Sequence, residues 1–379
     1  MNAIGMHIFS GSQTIGHLLE GWSIDTILEI SDEMVNNNAY HFKKNYPNIT
    51  VKTPSEYENN DKYLNELKSK NYDLLYSNPP CSGLSQINRN ASVDCEVNQY
   101  IYKVLNMVDR IRPKTFLIEN APTLTTTGFP ILKDMVKLLP DYKFVIINDL
   151  AGNHKVAMHR RRTLVVGFNN KYFKKLPKIH NNAEPYYSIG DALKNVDLTY
   201  NKEFTEDSKP DLFKYYDKVK PGESFFTAMA ENHIMNLPEQ TLKDVEKIKY
   251  KMEHNERIWD KSPWRSPADS HAPSLASVVR IIHPTENRDL YIREYAALMG
   301  YPDNYIFYPK ECKTPAVQCI AQGVPVNFIR YISKEIKNSF TTNEFTNGDV
   351  VYINQCSPKN VKTFIYNRDE FKDLATICG

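Results

Sequence analysis

The sequence of 379 residues lacks several features that would assign it to a specialised class of protein. Its six cysteines form no CxxC pair and no dense framework, so neither a disulfide scaffold nor a zinc site is indicated, and we expect no bound metal. No apolar run approaches the roughly 20 residues that a membrane helix needs, and no secretory leader is recognisable. A small secreted protein and a membrane protein are therefore excluded, and we expect a cytoplasmic location.

An excess of charge of one sign is also missing, because the formal net charge is only +2. Binding to nucleic acid therefore cannot be argued from overall charge and requires local basic patches. Hydrophobic residues make up 41% of the chain and charged residues 24%, which is typical of a globular protein. A chain of this length is sufficient for one sizeable α/β domain and a smaller one.

The first 170 residues alternate short apolar runs with longer amphipathic stretches. This pattern is typical of βαβ units that build a doubly wound, mostly parallel sheet with helices on both faces. The predicted strands are Ile4–Phe9, Ile24–Glu29, Tyr72–Ser77, Thr115–Glu119, Lys143–Asn148 and Thr163–Phe168. Helical apolar spacing predicts helices over Val97–Arg110 and Pro130–Leu139.

The pattern changes after this predicted sheet domain, which covers residues 1–171. Residues 172–272 show weak periodicity and predict a smaller second domain. Helical spacing over Leu290–Met299 and Asn327–Asn338 predicts that residues 273–340 return to the sheet domain. The tail, 341–379, contains two candidate hairpin strands, Asp349–Asn354 and Val361–Tyr366, and indicates no function.

Reactive side chains follow the predicted strands where they end. Cys81 lies in Asn78-Pro79-Pro80-Cys81, a rigid turn at the carboxyl edge of the sheet, and Glu119 ends the next strand. Arg160 and Arg162 precede the last strand and point to one side of it in the alternating geometry of a strand. The alternatives are a core thiol, a solvated carboxylate and a solvated basic run, and Cys81 alone supports a nucleophile and a core thiol equally.

The order of these groups resembles the cytosine carbon-5 DNA methyltransferase family. The matching segments are Pro-Pro-Cys-x-Gly-x-Ser at 79–85, Glu-Asn-x-Pro at 119–122, Arg-x-Arg at 160–162, the block at 288–303 and Gln-Gly-Val-Pro at 322–325. Each motif is short, but their joint order is specific. The resemblance implies a Rossmann-like, S-adenosylmethionine-dependent methyltransferase fold, with a target-recognition region at 172–272.

This resemblance also implies a role for each group. Cys81 would add to carbon-6 of a cytosine flipped out of the duplex, which makes carbon-5 nucleophilic. Glu119 would share a proton with N3 of the base. Arg160 and Arg162 would hold the base oxygen and orient the catalytic groups. The implied contacts with S-adenosylmethionine are Phe9, Gly11, Glu29, Asn78, Pro79, Gln322 and Val324.

Three residues depart from the family at the donor site. Gln13 and Thr14 stand where the family has glycines, and Gln322 stands where it has asparagine. These departures leave open a modified sulfonium donor or a catalytically silent, DNA-binding relative. An RNA cytosine substrate also stays open. An amino methyltransferase is suggested by Asn78-Pro79-Pro80, but Cys81 takes the place of the aromatic residue which that chemistry needs.

Double-stranded DNA is the partner that the resemblance implies. The candidate contacts are Ser85, at a backbone phosphate of the flipped nucleotide, and the basic residues Lys174, Lys175 and Arg265. Solvated lysines are the alternative for the last group. A restriction-modification or phage-type role is expected, with a cognate restriction endonuclease as a second partner, and we expect a monomer.

Overall fold

The computed structural model describes residues 1–36, 39–84, 92–258, 260–275, 280–357 and 359–377. Its strands are β1 Asn2–Met6, β2 Ser23–Leu28, β3 Thr50–Lys52, β4 Leu74–Ser77, β5 Thr115–Asn120, β6 Tyr142–Leu150, β7 Met158–His159, β8 Arg161–Asn169, β9 Leu176–Pro177, β10 Glu223–Ser224, β11 Trp264–Arg265, β12 Ala272–Pro273, β13 Ile281–Ile282, β14 Phe345–Thr346, β15 Val350–Asn354 and β16 Lys362–Tyr366. Its helices are α1 Ser12–Leu19, α2 Asp32–Asn36, α3 Tyr40–Asn45, α4 Pro54–Tyr57, α5 Asp61–Ser69, α6 Gln99–Ile111, α7 Phe129–Leu138, α8 Ile189–Leu193, α9 Phe225–Glu231, α10 Glu239–Glu253, α11 Ile292–Leu298, α12 Ala316–Gln322, α13 Val326–Ser339 and α14 Arg368–Asp373. Short 3-10 segments are Glu96–Asn98, Pro122–Thr125, Ala151–His154 and Pro210–Lys218.

The chain divides into two compact units. The first consists of Met1–Lys155, Arg161–Pro185 and Gly323–Gly379, and the second of Val156–Arg160 and Tyr186–Gln322. The division differs from the predicted domains in that residues 156–160 and 273–322 belong to the second unit and residues 172–185 to the first. Long-range pairing is the reason for the first two differences, because β7 lies parallel to β12 and β13 lies parallel to β11.

A nine-stranded sheet forms the centre of the first unit, in the order β16-β15-β6-β8-β5-β4-β1-β2-β3. The strands from β1 to β6, and β15, run in one direction, whereas β8 and β16 run antiparallel to their neighbours. Each predicted strand overlaps one of these. The two candidate strands of the tail are β15 and β16, so the tail extends the sheet beside β6.

Helices cover both faces of this sheet. The α6 helix forms because its apolar residues recur at helical spacing and are buried, and it ends at Arg112, whose backbone is left-handed with φ 58°. It packs with α5, α7 and α14 against the face that contains Leu75. The next residue of β4, Tyr76, points to the other face, where its hydroxyl donates to Thr14 of α1 at 2.9 Å. The α1 helix packs against α13.

The second unit has small sheets, several short helices and the 15-residue helix α10. Its strands form a three-stranded sheet, β10-β11-β13, and the β7/β12 pair. The block at 288–303 lies here and is structural: Arg293 is fully buried and donates to the carbonyls of Pro302 and Tyr305, at 3.1 and 2.8 Å. Arg288 forms a two-point ion pair with Glu294, at 2.7 and 2.9 Å. Among the described residues, no helix has the length and apolar composition that crossing a membrane requires.

Candidate functional site

The predicted catalytic residues of the first unit gather at one edge of its sheet. Because β1, β2, β4 and β5 are parallel neighbours, their carboxyl ends share this edge. Glu119 is the penultimate residue of β5, and the chain reaches Cys81 shortly after β4 ends at Ser77. Glu29 directly follows β2. The sequence order alone therefore predicted which residues meet at the edge.

Glu119 is the best defined group of the site. Its side chain is buried, and its Oε1 lies 2.7 Å from Nε of Arg162. Its second oxygen, Oε2, accepts a hydrogen bond from the side-chain amide of Asn78. Arg162 comes from β8, which pairs with β5, and its side chain is 15% exposed. An ion pair from β8 and a hydrogen bond from the residue that follows β4 thus hold the carboxylate.

Cys81 lies in a loop that is tied to the strand of Glu119. The thiol is half-buried, forms no disulfide with the cysteines that the structure describes, and packs beside the apolar core. The side-chain amide of Asn120, next to Glu119, donates to the carbonyl of Pro79 at 3.3 Å. The backbone N–H of Leu84 donates to the carbonyl of Cys81 at 3.0 Å. Ser85 lies outside the described residues.

Arg160 and Arg162 have different surroundings, although the sequence places them side by side. Arg160 belongs to the second unit and is buried. Its guanidinium donates to the carbonyls of Leu275 and Ala321, at 3.0 and 2.8 Å. Arg162 therefore contacts the predicted acid, and Arg160 donates to two backbone segments of its own unit.

The turn after β1 has an unusual backbone. His7, Phe9 and Gly11 all have positive φ, at 53°, 48° and 83°. A Cβ added at Gly11 would lie 2.0 Å from Cδ2 of Phe42, so this position has no room for a side chain. Left-handed non-glycine residues are unfavourable, and such strain concentrates at binding and catalytic sites.

The carboxylate of Glu29 is almost fully buried beside this turn. Its Oε2 lies 2.8 Å from Nδ1 of His7, and its Oε1 accepts from the backbone N–H of Ile8 at 3.2 Å. The hydroxyl of Tyr57 donates to the Glu29 carbonyl at 2.6 Å. The sequence did not predict His7 as part of the site, because the contact joins residues 22 positions apart through strand pairing.

The remaining residues predicted to contact S-adenosylmethionine lie in both units. Asn78 and Pro79 are buried at the end of β4. Val324 belongs to the first unit, and its backbone N–H donates to Oγ of Ser12 at the start of α1, at 2.9 Å. Gln322 lies at the end of α12 in the second unit, where its buried Oε1 accepts no hydrogen bond from the described residues.

Two predictions of DNA contacts need correction. Lys174 and Lys175 are exposed but follow β8, whose direction is opposite to that of β5, so they lie beyond the sheet edge opposite to Cys81 and Glu119. Arg265 is buried, and its guanidinium donates to the carbonyls of His283 and Tyr216, at 3.0 and 2.8 Å. It is therefore a structural residue that is not available to a phosphate.

Comparison with known proteins identifies relatives of this chain. The profile of the C-5 cytosine-specific DNA methylase family matches residues 5–338. The chain is 24% identical over 368 residues to the type II methyltransferase M1.HgaI of Avibacterium volantium, covering 89% of this chain and 99% of that protein. It is 26% identical over 280 residues to the type II methyltransferase M.PspPI of Psychrobacter sp. (strain TA137), covering 70% of this chain and 63% of that protein.

Solved structures share the fold. A protein described as a DNA modification methyltransferase encoded within a prophage (E. coli) superimposes with a TM-score of 0.63 at 19% identity, covering 90% of this chain and 100% of that one. The Entamoeba histolytica methyltransferase EhMeth gives a TM-score of 0.57 at 14% identity, covering 90% and 99%. The fold is thus that of S-adenosylmethionine-dependent methyltransferases. Within that class, the chain belongs to the C-5 cytosine-specific DNA methylase family.

Proposed function

We propose that this protein transfers a methyl group from S-adenosylmethionine to carbon-5 of a cytosine in double-stranded DNA. The observation that carries the proposal is the pairing of Glu119 with Arg162 and Asn78, on the strand next to the one that leads to Cys81. A nucleophile and a carboxylic acid at the same sheet edge are the groups that this reaction requires. The base must leave the duplex stack to reach them.

Cys81 and Glu119 would divide the chemistry on the base. The thiolate of Cys81 adds to carbon-6, and a proton shared between Glu119 and N3 offsets the negative charge that develops on the ring. Carbon-5 would then take the methyl group, and the sulfur of the donor would keep the electrons of the broken bond and leave as a neutral thioether. Loss of the carbon-5 proton expels the thiolate, so that Cys81 is regenerated. Arg162 and Asn78 keep the carboxyl group in place throughout.

The first unit also offers groups that fit the methyl donor. Glu29 is a buried carboxylate at a strand end, each oxygen of which keeps a lone pair for a ribose hydroxyl beside its present donor. Gly11 has no room for a side chain because the ring of Phe42 packs against it, and this packing fixes the turn beside Glu29. When bound, S-adenosylmethionine supplies an electrophilic methyl group on a sulfonium. Phe9, Val324 and the Asn78-Pro79 segment would complete the pocket.

Nucleoside analysis tests the reaction directly. Duplex DNA is incubated with the protein and S-adenosylmethionine, digested and analysed by mass spectrometry, with RNA in a parallel reaction. We expect 5-methylcytosine in the DNA. N6-methyladenine, N4-methylcytosine or a group other than methyl would contradict the proposal, and product in RNA alone would indicate the RNA alternative.

Covalent trapping tests the role of Cys81. DNA that contains 5-fluorocytosine blocks elimination, so the wild-type protein should form a denaturation-resistant complex with it. Cys81→Ser should form none while still binding DNA. Cys95→Ser is the matched control, because Cys95 is also half-buried and in no disulfide with a described cysteine, and it should form the complex. A complex with Cys81→Ser would disprove the mechanism.

The biological role that we propose is restriction-modification. It is supported by the names of the type II relatives, and it implies a cognate restriction endonuclease as a partner. The second unit follows the arginine strand in the chain, which is the family's place for target recognition, and we propose that it reads the DNA sequence. DNA exposed to the protein should become resistant to one specificity in a panel of restriction endonucleases; unchanged digestion of fully methylated DNA by the whole panel would argue against this role.

A further inference from the structure

Gln13 is a polar side chain whose hydrogen bonds are missing. It is the second residue of α1 and only 1% exposed. Neither its Nε2 nor its Oε1 has a hydrogen-bond partner among the described residues. A primary amide offers two donor hydrogens and an acceptor oxygen, and leaving all of them unpaired in the protein interior is unfavourable. Such a group in a native protein calls for a partner that the described residues do not supply.

The neighbours of Gln13 are paired, which makes this residue stand out. Ser12 accepts a hydrogen bond from the backbone of Val324 at 2.9 Å. Thr14 accepts one from the hydroxyl of Tyr76 at 2.9 Å. The first turn of α1 is therefore well packed on both sides of Gln13, and local disorder does not explain the unpaired amide.

The position of this turn in the sheet indicates which part of a donor would meet it. The strand order β4-β1-β2 places the turn after β1 between Glu29, at the end of β2, and the loop of Cys81, after β4. A donor whose ribose binds Glu29 and whose methyl group reaches a base beside Cys81 must pass over this turn. Its remaining charged groups are the ammonium and the carboxylate of the methionine tail. One donates and the other accepts, as a primary amide does.

We propose that Gln13 recognises the amino-acid tail of the methyl donor. Its Nε2 donates to the tail carboxylate and its Oε1 accepts from the ammonium. Because the amide is closed off from solvent in the structure, the side chain rotates from its buried position when the donor enters. This inference rests on the proposed function. It gives Gln13 a role in recognising the methyl donor, at a position where the family has a glycine.

The test compares two ligands that differ only in the tail. S-adenosylhomocysteine has the amino-acid tail, and 5′-methylthioadenosine has the same nucleoside without it; both are titrated calorimetrically into the full-length protein. Gln13→Met keeps the length of the side chain and removes the amide. We expect it to bind S-adenosylhomocysteine about a hundredfold more weakly, the loss of two hydrogen bonds to charged groups, and 5′-methylthioadenosine within about twofold of wild type. The ligand-free variant should melt at a higher temperature than wild type, because a buried unpaired amide has been removed.

Tyr76→Phe is the matched control. It removes the hydrogen bond to Thr14 in the same turn of α1, so it should lower the melting temperature and leave the affinity ratio of the two ligands unchanged. If Gln13→Met weakens both ligands equally, or neither, the inference is wrong while the proposed function stands. If wild-type protein binds neither ligand, the proposed function and the inference both fail.

Discussion

The buried ion pair between Arg162 and Glu119 allows a quantitative prediction. Arg162→Met removes the 2.7 Å contact and leaves a carboxylate that is 2% exposed, with Asn78 as the remaining side-chain donor that we identify. Removing one partner of a buried pair costs about 3–5 kcal/mol. Because the Arg162 side chain is 15% exposed and Asn78 still donates, we expect a loss at the lower end, about 3 kcal/mol in the free energy of unfolding.

Glu119→Gln should lower the free energy of unfolding less than Arg162→Met does. The arginine that loses its partner is nearer to solvent and still donates to the carbonyl of Arg161 at 2.7 Å. We expect a loss of about 1–2 kcal/mol. The double variant contains no buried charge at this position. It should therefore be more stable than the sum of the single effects predicts, by at least about 1 kcal/mol.

Urea unfolding of the four proteins, followed by circular dichroism at pH 7.5, measures these differences. Additive effects, or a larger loss for Glu119→Gln than for Arg162→Met, would refute the assigned asymmetry of burial. Methyl transfer is the second measurement. If Glu119 shares a proton with the base, Glu119→Gln should slow transfer by about 10²–10⁴-fold although it is the more stable single variant.

Three further predictions concern stability. Gly11→Ala places a Cβ 2.0 Å from Phe42 at a φ of 83°, and it should lower the free energy of unfolding by about 2 kcal/mol or more in urea titrations; a loss under about 0.5 kcal/mol would contradict the strain. Burial lowers the pKa of His17 to about 3, whereas the pKa in an unfolded chain is about 6.5. The unfolded chain therefore binds the extra proton first as the pH falls below 6.5, and the free energy of unfolding decreases by up to about 1.4 kcal/mol per pH unit. His17→Gln should flatten this dependence between pH 7 and 5, and an unchanged dependence would exclude His17 as its source. Arg265→Met should lower the free energy of unfolding by about 3 kcal/mol in thermal or urea unfolding, because several carbonyls lose their donor. It should leave the salt dependence of DNA binding unchanged. A weaker dependence of the binding constant on salt would show that Arg265 contacts a phosphate after all.

Local sequence was sufficient for eight strands of the nine-stranded sheet and for the helices α6, α7, α11 and α13. Short apolar runs predicted the strands that became β4 and β5, because burial on both sheet faces demands such runs. Since parallel strands end at a common edge, Cys81 and Glu119 could be placed together without coordinates. The same pattern predicted the two strands of the tail. It did not predict that they lie beside β6, because the sequence of a strand does not specify which strand it pairs with.

The domain boundaries illustrate what local patterns miss. The chain enters the second unit at Val156 because Met158 pairs with Ala272, more than a hundred residues later in the sequence. The helix α11 was predicted correctly as a helix, but its unit was not, since an amphipathic pattern shows that a helix buries one face and not what covers it.

The sequence by itself determined the chemical inventory of this protein: a thiol, an acid and two arginines in family order. Only the tertiary structure decided what each charged group contacts. In the structure Arg162 contacts Glu119, and Arg160 and Arg265 donate to backbone carbonyls. Lys174 lies beyond the opposite sheet edge. The physical reason is that a charge is satisfied by whichever partner the long-range packing brings within hydrogen-bond distance, and neighbours in sequence do not specify that partner.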